Sequence, residues 1–200
     1  MLAILSVASI SGSGQTKATD KVPPFDLVYF VGEWAFDWSP PESALGPAGD
    51  LVGKETFRLL EPARLPEHLP GYPQVPSRLI PKGPASLQVV ESWVDGVGPA
   101  GPVKVRAVLT YDPNTGKATR HEIDAAGTIL TKEGTIAGDL GGIYSFNWET
   151  APFERGGRRL RLRGRTVAFS PHNFRDFIQY SVDGGDFVAF GQPWYRKAGK

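Results

Sequence analysis

"FDLVYFVGEW", residues 25–34, carries an Asp-bearing aromatic segment straight into Gly32-x-Trp34 at the start of an apolar strand. A strand that opens a closed barrel has to cross the end of that barrel first. A Trp on its inward face there fills the opening with a large apolar ring, and a Gly two residues earlier lets the chain bend into the strand without a Cβ clash. Phe25 and Phe30 are placed to pack beneath the indole. The stretch therefore predicts a barrel entrance with Trp34 as its plug.

The rest of the chain has the punctuation such a barrel needs. Turn-forming clusters recur at 39–50, 95–102, 112–116, 124–127, 138–142, 154–157, 170–173 and 183–186. They are built from Gly, Pro, Asn and Asp, which preset turns or accept positive φ. Between them lie segments of alternating polarity. In "VKVRAVLTY" (103–111), Val103, Val105, Ala107, Leu109 and Tyr111 share one face. In 142–149, Tyr144, Phe146 and Trp148 oppose Ser145, Asn147 and Glu149. In "RRLRLRGR", Leu160 and Leu162 oppose a row of Arg. A period of two means strands with one face buried and one wet. No stretch sustains a helical period. The expected fold is all-β, an antiparallel up-and-down barrel of about eight to ten strands with little helix.

Composition narrows the function classes. A chain of 200 residues with 40% apolar content supports a single barrel domain with a real core. A net charge of +1 argues against nucleic acid as a partner. The Arg row at 158–165 reads as a solvated strand face neutralised by acidic neighbours rather than a phosphate-binding patch. With no Cys, thiolate chemistry, disulfides and Cys-ligated metals are excluded. His68, His121 and His172 are scattered without metal-ligand spacing, so no metal site is expected.

Residues 1–24 form a segment of their own. Leu2 to Ile10 is apolar, like the centre of a secretory signal, but no basic residue precedes it. The two readings are a leader, favouring a periplasmic or secreted protein, and a disordered tail. The run is too short for a transmembrane span. Residues 25–197 form the expected barrel domain. A Pro-rich loop is expected over 61–84, where Pro62, Pro66, Pro70, Pro73, Pro76, Pro81 and Pro84 forbid a central strand. It is either a lid or a surface excursion.

The Phe25–Trp34 pattern resembles the start of the lipocalins. Further along, Gly46-Pro47, Gly49, Gly53 and Phe57-Arg58, the hairpin Tyr111–Lys117, the turn Glu133–Asp139 and the closing Arg196-Lys197 resemble a set of uncharacterised bacterial lipocalin-like proteins. The resemblance spans about residues 25–197. It departs at Ala35 and Asp37, where lipocalins prefer larger or apolar residues, and it leaves no room for a lipocalin C-terminal helix. It implies a calycin-like barrel with an internal cavity and a basic residue, Arg196, over the Trp34 ring.

Two function classes follow. The first is binding of a small hydrophobic or aromatic molecule inside the barrel, with walls drawn from Trp34, Trp38, Trp93, Tyr144, Phe146, Trp148, Tyr180 and Trp194 and with Glu55 as a polar contact. The second is a lipocalin-like enzyme working without a cofactor, an isomerase, cyclase or hydrolase, with His121, Asp176 and Tyr180 as acid–base groups. The motive is that these polar groups interrupt apolar faces. Asp176 lies between Phe174 and Ile178, Glu55 alternates with Leu51, Phe57 and Leu59, and His121 alternates with Thr119 and Ile123. No cofactor is implied by the residues themselves. Haem held by His121 or His172, as in some related barrels, is a third and thinner reading.

Overall fold

The computed structural model describes residues 22–60 and 87–199. The leader-like segment up to residue 21 and the Pro-rich stretch 61–84 lie outside the described residues. Within them the only helix is a single 3-10 turn, η1 (Leu27–Phe30), and everything else regular is strand. The strands are β1 (Gly32–Trp38), β2 (Leu51–Leu60), β3 (Gln88–Gly98), β4 (Gly101–Tyr111), β5 (Lys117–Asp124), β6 (Ile129–Gly138), β7 (Tyr144–Thr150), β8 (Phe153–Arg155), β9 (Arg158–Ser170), β10 (Asn173–Val182), β11 (Val188–Ala189) and β12 (Trp194–Lys197).

Every neighbouring pair is antiparallel, and the sheet closes on itself. The order runs β1-β2-β3-β4-β5-β6-β7-β9, then through the β9–β10 pairing to β10, β12 and back to β1. Ten strands make the ring. β8 extends β9 as a short hairpin arm, and β11 lies along β10. This is the expected up-and-down barrel with little helix. Closure removes the free edges that make open sheets liable to aggregate.

One end of the ring is sealed by the chain that enters it. The Asp26 side chain accepts a hydrogen bond from the Val28 N–H at 2.9 Å and starts η1. The Phe25 N–H donates to the Tyr111 hydroxyl at 3.3 Å and the Leu27 N–H to Gln88 Oε1 at 2.7 Å, which ties the turn to inward-facing residues of β4 and β3. Gly32 then turns the chain into β1 at φ 117°, a conformation that L side chains rarely adopt. Trp34 is fully buried. Its Nε1 donates to the Phe30 carbonyl at 2.6 Å, and Phe174 meets it edge-on at 4.9 Å. Phe30 stacks on Phe57 at 5.3 Å. Phe25, Leu27, Tyr111, Ala118 and Ile136 complete the plug.

The cation over Trp34 is Lys197, with Nζ 5.1 Å from the ring centroid, and not Arg196. Register decides this. Trp34 faces Lys197 and Ala35 faces Arg196, so Arg196 is turned outward, where it pairs with Asp37. Elsewhere on the outside, arginines of β9 behave as a solvated row: Arg161 pairs with Glu149, and Arg163 donates to Gln179 Oε1 at 2.7 Å.

Candidate functional site

The pairing register sorts side chains into two sets. Ala118, Arg120 and Glu122 of β5 stand opposite Tyr111, Leu109 and Ala107 of β4, which belong to the core-facing side. The same count turns Glu55, Ser92, Lys132, Trp148, Thr166, Asp176 and Tyr195 inward. A band of charge thus crosses the barrel above the aromatic plug.

Its centre is Arg120. The guanidinium donates to Glu55 Oε1 at 2.6 Å and to Glu122 Oε1 at 2.6 Å. Ser92 and Ala107, both small, leave room for the long side chain to reach from β5 towards β2. Ser92 Oγ donates to Glu55 Oε1 at 2.7 Å, and Lys132 Nζ to Glu122 Oε1 at 2.8 Å. Each cation also lies against an aromatic ring: Arg120 at 5.8 Å from the Phe57 centroid and Lys132 at 4.7 Å from that of Trp148. Gly134 and Gly164, on the strands flanking β7, give Trp148 its place. A Cβ at Gly164 would come within 2.4 Å of the indole.

The electrostatics follow from that packing. Burial works against charge on Arg120, but Glu55 and Glu122 outweigh it and raise its pKa further. Burial also opposes ionisation of Glu122, yet Lys132 and Arg120 prevail and bring its pKa down to about 2. Asp176 behaves oppositely. Burial raises its pKa, against the pull of Lys132 and a Thr166 hydrogen bond. Its Oδ1 is buried and has no hydrogen-bond partner among the described residues. Tyr195 is held protonated, first by burial and then by Glu55 and Asp176.

Two stability predictions arise here. Glu122 has a folded pKa below its ordinary 4.5, so its contribution is whole above pH 4.5 and disappears as pH falls through about 2. That contribution is on the order of 3 kcal/mol. Acid titration of unfolding is expected to show this loss in the native protein and not in Glu122→Gln. For Asp176 the sign reverses. The raised folded pKa means no ionisation penalty below about 3.8 and a growing one as pH rises above it. Asp176→Asn is therefore expected to gain more melting temperature, relative to the native protein, at pH 7 than at pH 3.5. An equal difference at both pH values would show that Asp176 titrates normally.

Burial also varies along the barrel. Near the plug, Phe57, Val90, Leu109, Tyr111 and Ala118 are all buried. On the same inward faces towards the opposite end, Phe36, Leu160 and Leu162 are buried, but Val94, Val105, Leu130, Ile178 and Tyr180 are only partly covered. The charged side chains between them keep some exposure, 15% for Arg120, 16% for Glu122 and 14% for Lys132. Part of each of these charged side chains is therefore within reach of solvent. At the unplugged rim Trp38 Nε1 donates to the Phe190 carbonyl at 3.1 Å, and Phe190 packs edge-on against Tyr180 at 5.1 Å.

Several sequence-based candidates meet inside: Trp34 as the floor, Glu55, Trp148 and Asp176 at mid-height, Trp38 and Tyr180 near the rim. Phe146 is inward but packed into the core, and Tyr144 is at the plugged end, where its hydroxyl donates to the Pro23 carbonyl at 3.0 Å. Three candidates are outside. His121 projects from the outer face of β5 and its Nδ1 lies 2.9 Å from Thr131 Oγ1; burial lowers its pKa. The β5 face with Thr119, His121 and Ile123 looked the better wall, but the face with Arg120 and Glu122 turns in because those charges find partners there. Trp93 stands opposite Thr56 and Arg106 on the outside, with the Arg58 guanidinium 5.5 Å from its ring. Trp194 is also outside, under Arg175 at 4.0 Å, because its neighbour Tyr195 turns inward to stack on Phe174 at 4.2 Å.

Sequence reasoning missed Arg120, Glu122, Lys132 and Ser92. The available signal was the Arg-x-Glu spacing in "KATRHEID" with a Lys on the next strand.

Two surface recesses are present, the first of them sharing Trp148 and Ile178 with this site. One, of about 610 Å³, runs over the outer face of β7, β9 and β10 and includes Arg163, Arg165, Phe177 and Gln179. The other, of about 420 Å³, lies beside η1 and the β9–β10 turn. Among the described residues, no group of three or more His, Cys, Asp or Glu is placed to hold a metal ion. None of their helices is long and apolar enough to cross a membrane.

No family model matches the sequence, and no curated protein does. Among solved structures, 14 chains match. One, described as EF1p2_mFAP2b bound to DFHBI, is 13% identical and superimposes with a TM-score of 0.39 over 86% of this chain and 95% of its own. A likeness this distant bears on neither the fold nor the ligand.

Proposed function

We propose that the barrel is lipocalin-like in use as well as layout, and binds a small, predominantly apolar molecule in its interior. The observation that carries this is the contrast along the inward faces. The plugged half is packed shut, whereas in the other half Val94, Val105, Leu130, Ile178 and Tyr180 keep accessible surface beside the buried Phe36, Leu160 and Leu162. A barrel built only for stability would bury those side chains as it buries Leu109 and Val90. The layout matches small-molecule sites in general, with apolar walls and a few convergent polar groups.

Binding is favoured over turnover by the placement of the acid–base candidates. His121 is on the far side of the sheet from Asp176. Asp176 and Tyr180 share an inward face but stand four residues apart, roughly 13 Å between backbones along a strand.

The test uses the full chain and the neutral fluorophore 1-aminoanthracene. Saturable enhancement of its emission is expected, and Ile178→Trp, which fills the accessible half, is expected to abolish it while the protein still melts cooperatively. Absence of saturable binding to the native protein, or unchanged binding to Ile178→Trp, would overturn the reading. Organic extraction and mass spectrometry of the purified protein would then identify any molecule already held.

A further inference from the structure

We infer that the molecule bound inside is uncharged, and that carboxylates and ammonium ions of the same size and shape are rejected. The inference rests on the interior-binding reading and adds the ligand's charge class to it.

The argument is a count of charges in the band that the ligand meets. Two cations, Arg120 and Lys132, stand against two carboxylates, Glu55 and Glu122. All four are joined in one chain of ion pairs, Glu55–Arg120–Glu122–Lys132. Both cations have aromatic rings against them, Phe57 and Trp148. Among the described residues, an anionic ligand therefore finds no spare cation in this band. Lys197 does not supply one, because it sits at the plugged end over Trp34, with Nζ 3.4 Å from the Tyr29 carbonyl.

A cationic ligand needs a spare carboxylate, and Asp176 is the candidate. Its surroundings are wrong for that task. Lys132 and Arg120 are close enough to act on it electrostatically, so an ammonium group at Asp176 would sit in their field. The residue is partly covered, its carboxyl has a Thr166 hydrogen bond, and its buried Oδ1 has no partner among the described residues. Burial favours its neutral acid form, which offers hydrogen-bonding capacity and no charge. A charged ligand would lose its hydration on entering and gain no counter-ion, a cost that burial of unpaired charge makes large. A hydroxyl or carbonyl loses far less.

The experiment compares decan-1-ol, decanoate and decylammonium as displacers of 1-aminoanthracene at pH 7. Decan-1-ol is expected to displace it at concentrations at least tenfold lower than either ion. Two variants shift the balance by one charge each. Glu55→Gln leaves Arg120 with one carboxylate fewer and is expected to raise affinity for decanoate at least tenfold. Lys132→Met leaves a carboxylate in excess and is expected to raise affinity for decylammonium by a similar factor. If either ion matches or beats the alcohol on the native protein, or if neither variant moves the ion it should favour, the charge inference falls while reporter binding keeps the interior reading standing. If the fluorophore and all three chains fail to bind the native protein, the interior reading itself falls and takes this one with it.

Discussion

Arg120→Met is expected to destabilise the protein by roughly 3–5 kcal/mol, the cost of breaking a buried ion pair by removing one partner. Arg120 bridges two carboxylates, so its loss strands both. Glu55 would keep only the Ser92 hydroxyl, and Glu122 only Lys132. Replacing the whole network with apolar residues need not cost anything like this, because the penalty is for charge left behind. Chemical denaturation of Arg120→Met, Glu55→Gln and the double variant separates the two cases. The double variant should recover part of the loss. Strictly additive losses would show that the Arg120–Glu55 contact at 2.6 Å carries no coupling.

Trp34→Ala is expected to cost a similar amount, roughly 3–5 kcal/mol, by the large-to-small rule for buried aromatics. Trp34 has no exposed surface, and its neighbours Phe30, Tyr29 and Phe174 are themselves pinned by the η1 turn and by β10. The cavity therefore has little means of collapsing. The variant also frees the Phe30 carbonyl from its bond to the indole N–H. Lys197→Met tests the other side of the ring, and its effect should stay within the roughly 0.5–2 kcal/mol of a cation–π contact. A melting temperature unchanged by Trp34→Ala would mean that the plug is held by η1 alone.

The plug was legible in the sequence because its causes are local. A glycine that must bend, an indole two residues on and the phenylalanines before it all lie within ten residues. The faces of β4, β7 and β9 were legible for a related reason: in each, one set of alternating residues is plainly apolar. β5 offers no such contrast. Thr119, His121 and Ile123 alternate with Arg120, Glu122 and Asp124, and periodicity separates the two sets without saying which is inside. The answer depends on Glu55, 65 residues from Arg120, and on Lys132 across a hairpin. Charge neutralisation between distant strands leaves no local pattern. The same limit misplaced the cation at the seam, where one step of register separates Arg196 from Lys197. It also misplaced Trp93 and Trp194, since an aromatic under an outward Arg fits its alternating strand as well as one in a core.

The seam has a bearing on how the molecule is made. β12 is a four-residue clasp, and its residues join β1 to β10 through contacts such as Arg196 with Asp37, 159 positions earlier. A nascent chain emerging from the ribosome exposes the unpaired edge of β1 almost from the start, and that of β10 much later. The β1 edge and the Asn173–Arg175 end of β10 stay open until residues 194–197 are present, although β11 already covers part of β10. Chains that reach β10 but lack β12 are then the species with open flanks, and long-range pairing of this kind is slow to form. A chain truncated before Trp194 should clump or be captured by chaperones, whereas one that carries residues 194–197 should stay monodisperse.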